Sequence, residues 1–456
     1  MALATHIFRE YDIRGIVDRD LDQEVTRLVG RAYGSVLEET QGGGPARVAV
    51  GQDNRPHSPR LAEGLMDGLM SAGVDVVSLG TVPTPLALWA EHRLKTDGAI
   101  QITGSHNPPD YNGIKMTLQQ KSFFGAAIQD LLDRIQTGRL SDGSGSLVHQ
   151  DVIPDYIAEV AKGFQLARPV RVVVDCGNGA GALVATDLLS AIGADVIPLY
   201  CESDGTFPNH HPDPTVDEYL VDMIELVRER EADLGIAFDG DADRIGAVDE
   251  NGTVVRGDIL LLLFGLDILD QLGPGQKLVF DVKCSQVLPE AFAKAGGDPV
   301  MWRTGHSHIK ARMKELGAPL GGELSGHICF ADNYIGIDDA PYAACRLVDL
   351  LARKDRPLSD LVADLPQYVA TPEIRIEVDE EKKWEVVERA LEHFRKSHDV
   401  IDVDGARVLF GDGWGLLRTS NTQPVIVARF EARTPERLAE IQGLMENWLA
   451  TQGIHV

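Results

Sequence analysis

Asp239, Asp241 and Asp243 alternate through the run Asp239-Gly-Asp-Ala-Asp-Arg244, and a tight loop would force their like charges together. At about 5 Å and an effective dielectric near 20, each pair repels by roughly 3 kcal/mol. A divalent cation relieves that repulsion. An all-oxygen donor set points to a hard ion such as magnesium, which keeps coordination positions for phosphate oxygens. The run shares the opening of a calcium-binding helix-loop-helix loop, and its twelfth position would be Glu250, but the sixth position, where that loop needs glycine, is Arg244. A solvated acidic turn is the plain alternative.

Four other stretches carry usable chemistry. Thr103-Gly-Ser-His-Asn-Pro-Pro-Asp-Tyr-Asn-Gly-Ile-Lys115 sets Ser105 beside glycine, with a stiffening proline pair and Lys115 ten positions on. A serine so placed is expected to be exposed and suits a nucleophile or phosphate carrier; a turn that only caps a helix fits the same residues. Gly321-Gly-Glu-Leu-Ser-Gly-His327 offers Glu323 and Ser325 for vicinal sugar hydroxyls, and a structural turn is an equal reading. Leu417-Arg-Thr-Ser-Asn-Thr-Gln-Pro424 gathers Arg418, Ser420, Asn421 and Thr422, a bidentate donor with hydroxyl and amide groups suited to wrapping a phosphate or to forming a polar turn. Tyr11-Asp-Ile-Arg14 could add a second guanidinium. His306 follows a strand, where a lone histidine gains a catalytic reading only from its neighbours. Asn209-His-His-Pro-Asp213 lacks matching ligand spacing and reads as an interdomain structural loop.

These stretches sit at corresponding places in a repeated pattern. Runs rich in β-branched and apolar residues begin three units, at Arg47–Asp53, Arg171–Gly177 and Lys277–Lys283. Each is followed by a helical stretch ending near glycine and a second strand, at Gly73–Leu79, Gly193–Leu199 and Gly297–Trp302. Third strands follow at Gly98–Thr103, Leu234–Phe238 and Ala318–Gly322. The pattern is βαβαβ and predicts mostly parallel sheets covered by helices on both faces. Ligands gather beyond the carboxyl ends of such strands, where the Ser105, aspartate and Glu323 loops fall.

Ser141-Asp-Gly-Ser-Gly-Ser146 reads as a flexible boundary, followed by a connecting helix over Ile153–Phe164. Val248-Asp-Glu-Asn-Gly252 predicts a hairpin, and a helix over Asp258–Leu272 opens the third unit. Beyond about Pro366 the repeat stops. Strands at Glu373–Val378, Ala406–Leu409, Trp414–Thr419 and Val425–Ala432, with helices at Glu380–Ser397 and Pro435–Thr451, predict a smaller α+β domain. The expected divisions are 1–148, 149–253, 254–366 and 367–456.

Bulk properties agree. The chain has 456 residues, 44% hydrophobic, enough for several cores. With 43 Lys and Arg against 70 Asp and Glu, the net charge is −27, which disfavours a nucleic-acid or anionic-membrane surface but allows a small anion in a local basic pocket. Five scattered cysteines without a paired spacing read as free thiols of a reducing cytoplasm. No signal peptide is visible, and the longest greasy run, Ile259–Phe264, is too short to cross a bilayer.

Phe8-Arg-Glu-Tyr-Asp-Ile-Arg-Gly15, the Ser105 loop, the aspartate loop, Gly322–His327 and Arg418-Thr-Ser-Asn-Thr422 occur in the order seen in α-D-phosphohexomutases. The chain resembles the bacterial phosphomannomutase/phosphoglucomutase branch over nearly its whole length. The resemblance implies three similar α/β domains and a fourth with a TATA-box-binding-protein-like α+β fold, arranged around a central cleft. It implies phosphate transfer between the 1- and 6-positions of mannose or glucose phosphate, through phosphorylated Ser105 and a bisphosphorylated sugar that turns around. Magnesium would be held by Ser105, Asp239, Asp241 and Asp243; Arg244 would offset charge, and Lys115 or His306 would move the proton. Tyr11, Arg14, Lys283, Glu323, Ser325, His327, Arg418, Ser420, Asn421 and Thr422 would bind substrate. Glucose 1,6-bisphosphate or mannose 1,6-bisphosphate would serve as activator, with a small sugar phosphate as the partner and no nucleic acid, membrane or obligatory protein partner. The Thr103-Gly104 pair before the serine matches the mannose/glucose branch, whereas phosphoglucosamine mutases typically carry Ser-Ala there. A phosphatase or a non-catalytic sugar-phosphate binder are the remaining readings.

Overall fold

A computed structural model describes residues 3–41, 46–421 and 423–455. It divides into two compact units, one of Met1–Gly257 with Ser325–Asp360, the other of Asp258–Leu324 with Leu361–Val456.

The first unit holds two sheets. In the first sheet, Arg47–Gln52 is central and runs parallel to Asp75–Thr81 and to Gly98–Ile102, with Val48 opposite both Val76 and Gly98. Val48, Val50, Ile100 and Ile102 belong to one buried apolar cluster with Val29, Leu61 and Leu65 from the helices Gln23–Gln41 and Ser58–Ser71. The second sheet centres on Arg171–Asp175, parallel to Asp195–Leu199 and Leu234–Phe238. Glu250–Thr253 closes the expected hairpin between Ile245–Asp249 and Val254–Val255. From the later stretch, the helix Ala340–Lys354 is capped by Asp339, whose side chain accepts from the Tyr342 N–H, and packs on the helix Ala185–Ala191.

One expectation fails in a way that matters. Residues 111–115 do not belong to the serine loop. Tyr111–Leu118 is a strand, antiparallel to Gly98–Ile102 with Lys115 opposite Gln101, and Ile13–Ile16 pairs along its other edge. The Asn-Gly pair and the half-buried lysine disguise it, because strand propensity is poor there and pairing decides the outcome. Both sheets are therefore mixed, with antiparallel strands returning from the parallel ones.

In the second unit, Lys277–Asp281 lies between the parallel neighbours Asp298–Trp302 and Leu320–Gly322. Its C-terminal part is an antiparallel sheet in which Val425–Ala432 pairs with Gly413–Thr419 and, on the other side, with Val369–Ala370 and Ile374–Glu377. Helices Glu380–Phe394 and Pro435–Thr451 bury Val386, Phe394, Ile441 and Met445 against it. The first of these helices stops three residues before the expected end, and the short strands Asp399–Ile401 and Val369–Ala370 carry no periodic pattern long enough to announce them. Among the described residues, no helix is long and apolar enough to cross a membrane.

Candidate active site

The aspartate loop joins antiparallel neighbours, with Phe238 opposite Ile245. Ala242, at φ +57°, reverses the chain. The alternate side chains of Asp239, Asp241 and Asp243 thereby converge, each offering an oxygen within 4.8 Å of the others, and all three are buried. Asp239 Oδ1 accepts from the N–H groups of Asp243 and Arg244, both at 3.1 Å. Asp241 Oδ2 accepts from Thr84 Oγ1 at 2.5 Å, Lys115 Nζ at 2.8 Å and Thr103 Oγ1 at 3.1 Å. Lys115 Nζ also lies 2.5 Å from Asp243 Oδ2. One oxygen on Asp241 and one on Asp243 are buried without a hydrogen-bond partner. Two such orphaned carboxylate oxygens in a buried cluster match the donor set of a hard divalent cation.

The electrostatics show the strain of this arrangement. Burial, reinforced by Asp241 and Asp243, pushes Asp239 far above the usual carboxylate range. Burial also works to raise Asp241, but Lys115 outweighs it and holds that carboxyl far below its ordinary value. Burial would lower Lys115, yet Asp241 and Asp243 prevail and keep it a firmly charged ammonium.

Ser105 meets this cluster directly. Its Oγ donates to Asp239 Oδ2 at 2.8 Å and lies 3.0 Å from His106 Nδ1. The expected exposure is wrong: Ser105 is 1% exposed, because the aspartate loop covers it. A Cβ built on Gly240 would sit 2.4 Å from the Ser105 carbonyl oxygen, so only glycine permits this approach. Burial, followed by Arg244 and Arg14, pushes the His106 imidazole well below its ordinary value and leaves it neutral. Arg14 donates to the Gly104 carbonyl at 2.8 Å and to Asn107 Oδ1 at 2.9 Å while pairing with Asp12. Tyr11 stands half-buried just before the same strand.

Arg244 Nε donates to His327 Nε2 at 3.0 Å, which leaves the imidazole proton on Nδ1, 3.3 Å from Asp338 and 3.7 Å from Asp243. Ser325 lies half-buried two residues before His327. His211 Nε2 donates to the His106 carbonyl, and His210 Nε2 lies 3.0 Å from Asp175, so the His-His segment ties the two sheets of this unit together. The first unit thus brings together Ser105, Lys115, the three aspartates, Arg244, His327 and Arg14. Thr84, Thr103, His106 and Asp338 join them unannounced, since none stands in a spacing that distinguishes it from an ordinary turn or cap residue.

The second unit carries the rest. Lys283, just beyond Lys277–Asp281, donates to Glu373 Oε2 at 3.1 Å and lies 3.9 Å from Asp281. That ammonium draws Glu373 down to about 2. Glu323 is buried and accepts from the Gly305 N–H at 2.7 Å; burial, then Asp281, raises its carboxyl. His306 opens the helix His306–Leu316 and is half-buried. Arg418 ends near the edge of its strand, with Nε donating to Asp404 Oδ2 at 3.0 Å. Ser420 is buried and Asn421 half-buried; Thr422 lies outside the described residues. Lys383, fully buried, donates to the carbonyls of Ser420 and Gln423 at 2.7 and 3.0 Å. Glu373, Asp404 and Lys383 escape sequence reading because each looks like ordinary surface charge.

A serine hydroxyl bonded to one carboxylate of a cation-ready triad, with a lysine and an arginine beside it, has the chemistry that metal-assisted phosphoryl transfer needs, on an α/β scaffold. Family models for phosphoglucomutase/phosphomannomutase match along the chain: α/β/α domain I over residues 5–140, domain II over 154–252, domain III over 256–369 and the C-terminal domain over 373–447. The phosphomannomutase/phosphoglucomutase of Pseudomonas aeruginosa is 44% identical over 449 residues, spanning 98% of this chain and 96% of that protein. A phosphoglucomutase of Neisseria gonorrhoeae is 40% identical, spanning 97% and 96%. The crystal structure of a phosphoglucomutase/phosphomannomutase family protein from Burkholderia thailandensis superposes with a TM-score of 0.90 at 42% identity, covering 97% of this chain and 96% of that one. The chain belongs to the phosphoglucomutase/phosphomannomutase family, whose members are intramolecular phosphotransferases of the isomerase class and depend on magnesium.

Proposed function

We propose that the chain moves phosphate reversibly between the 1- and 6-positions of a glucose or mannose phosphate, with Ser105 as the phosphoryl carrier. The observation that carries this reading is the 2.8 Å hydrogen bond from Ser105 Oγ to Asp239 within a buried triad bearing two orphaned oxygens. The serine phosphate passes to a sugar hydroxyl, giving free Ser105 and a bisphosphorylated sugar; that sugar turns around and returns its other phosphate to Ser105. Asp239, Asp241 and Asp243, with an oxygen on phosphorylated Ser105, would hold magnesium, which when bound would neutralise charge on the transferring group. Arg244 adds positive charge beside it and is aimed by His327. His306 takes the proton of the attacking hydroxyl, whereas Lys115, an ammonium between Asp241 and Asp243, moves a proton only as the acid. Lys283, Arg14 and Tyr11 favour the anionic substrate, and Glu323 and Ser325 take its hydroxyls. Arg418, Ser420, Asn421 and Thr422 grip the phosphate that is not reacting. Glucose 1,6-bisphosphate or mannose 1,6-bisphosphate primes the serine.

Initial rates on mannose 1-phosphate, glucose 1-phosphate and glucosamine 1-phosphate, with magnesium and a trace of glucose 1,6-bisphosphate, test this reading. Turnover of the first two to their 6-phosphates is expected. Preference for glucosamine 1-phosphate would assign the chain to the phosphoglucosamine branch, and steady release of inorganic phosphate without isomerisation would make it a phosphatase.

A further inference from the structure

Ser105 adopts φ +48°, a left-handed conformation that serine enters only when its surroundings hold it there. The backbone groups flanking it are held from several directions. Asp53 Oδ2 accepts from the Gly104 N–H at 2.8 Å, Thr103 Oγ1 accepts from the Ser105 N–H at 2.9 Å, and Arg14 donates to the Gly104 carbonyl. Four further carbonyls turn inward onto one side chain. Arg55 Nη2 donates to the carbonyls of Ser105 at 2.8 Å and Asn107 at 2.6 Å, and Nη1 donates to those of Pro108 at 2.6 Å and Tyr111 at 3.1 Å. Prolines 108 and 109 bring no N–H of their own, so the segment closes on itself only through the N–H of Asn107 to the Gly104 carbonyl at 2.9 Å and that of Tyr111 to the Pro108 carbonyl at 3.0 Å, which leaves the Ser105 and Asn107 carbonyls to donors from elsewhere.

Arg55 is itself immobilised. Its side chain has no exposure, its Nε lies 3.3 Å from Asp53, and Phe207 covers the guanidinium with its ring centre 5.1 Å away. A Cβ at Gly104 would fall 2.3 Å from Arg55 Nε and 2.4 Å from its Cζ, so glycine leaves the space that the guanidinium plane fills. The Ser105 carbonyl that Arg55 grips is the same one that wedges against Gly240 of the aspartate loop.

We propose that Arg55 is a positioning residue for phosphoryl transfer: its fork fixes the left-handed Ser105 peptide against Gly240 and so sets the serine oxygen on the aspartate cluster. Arg55 touches neither the phosphoryl group nor the sugar. Its effect therefore falls on the transfer step and not on sugar-phosphate binding, which is proposed for other side chains. This inference rests on the mutase reading given above. Lysine cannot replace the fork, because one ammonium has three donors and no planar array to meet four carbonyls.

The test compares wild type, Arg55→Met, Arg55→Lys and Gly104→Ala as full chains. It measures kcat and KM on glucose 1-phosphate with magnesium and glucose 1,6-bisphosphate, and the lifetime of phosphorylated Ser105 by intact mass. Displacing a reacting group by about 1 Å costs on the order of 100-fold. The two Arg55 variants are therefore expected to lose about 100-fold in kcat with KM within about threefold, and to shorten the phosphoserine lifetime. Gly104→Ala keeps the guanidinium but crowds it, and is expected to lose about 10-fold in kcat; it decides the matter if the Arg55 variants do not fold. A kcat within about threefold of wild type in a folded Arg55 variant or in Gly104→Ala, or a loss carried by KM instead of kcat, would overturn the assignment. Absence of wild-type mutase turnover on any of the three sugars would overturn the mutase reading and this proposal with it, whereas normal wild-type turnover with unaltered variants would overturn the Arg55 assignment alone.

Discussion

The serine loop of the first unit and the Arg418 loop of the second are built on one plan with different stiffness. In each, one buried cation donates to several backbone carbonyls: Arg55 to four of them, Lys383 to two. The guanidinium is a rigid planar array, packed against Gly104 and Phe207. The ammonium sits on a flexible stem and shares its charge with Glu380 at 2.7 Å. Transfer chemistry depends on sub-ångström placement of one oxygen, whereas gripping a phosphate needs only donors within reach. The stiffer device thus backs the loop proposed to react, and the softer one backs the loop proposed to hold.

If that division is right, the largest effect comes from the reacting loop. Ser105→Ala should nearly abolish mutase turnover, by about 10⁴-fold or more, while titration calorimetry still finds sugar phosphate bound with affinity near that of wild type. Unchanged turnover would end the nucleophile assignment. Arg418→Ala comes next. Its guanidinium is nearly buried and donates to Asp404, and as a proposed phosphate donor its loss is expected to raise KM roughly 10- to 100-fold with a melting temperature close to wild type. A normal KM would contradict the clamp.

What the chain disclosed beforehand follows the same line. Asp239, Asp241 and Asp243 are legible because three alternating like charges in so short a run carry a repulsion that a cation relieves, Ser105 because its loop follows the third strand of a repeated unit, and Arg418 because a guanidinium, hydroxyls and an amide crowd into one short stretch. The parallel strands show as apolar runs, since burial on both faces leaves no polar alternation to confuse them. Lys115 reads as a loop residue because a half-buried lysine on a strand is steadied here by Asp241 and Asp243, which lie more than a hundred residues away. Arg55 and Lys383 were silent for a related reason: their partners are carbonyl oxygens, which every residue possesses and no sequence pattern marks. Ser105 was expected in the open because loop residues usually are, and the cover supplied by Gly240 is a tertiary fact.

Lys383→Met sharpens the comparison further. It leaves every proposed phosphate donor in place but removes the ammonium that draws the Ser420 and Gln423 carbonyls together. Two lost charge-assisted hydrogen bonds should lower stability by about 2–4 kcal/mol, tempered by the apolar stem that methionine preserves. KM should rise by about 3- to 10-fold with kcat within twofold, the reverse of the pattern expected at Arg55. A fall confined to kcat would show that the two loops do not divide the work as argued.

The smallest expected effect lies at Glu373. Lys283 draws its carboxyl down to about 2, against an ordinary value of 4.5, mainly by direct attraction and against the opposing effect of burial. A folded-state value below the unfolded one means that the pair's stabilisation is present above about pH 4.5 and drains away as pH falls toward 2. Full loss would amount to no more than about 3 kcal/mol, and at pH 3.5 roughly 1 kcal/mol should be gone. Glu373→Gln removes the titrating group, so its melting temperature should fall less than that of wild type between pH 6 and pH 3.5. Lys283 would then lack its carboxylate partner, which makes the variant less stable at pH 6, and the two melting curves should draw together on acidification. Parallel slopes would show that Glu373 titrates normally and that Lys283 is steadied by Asp281 alone.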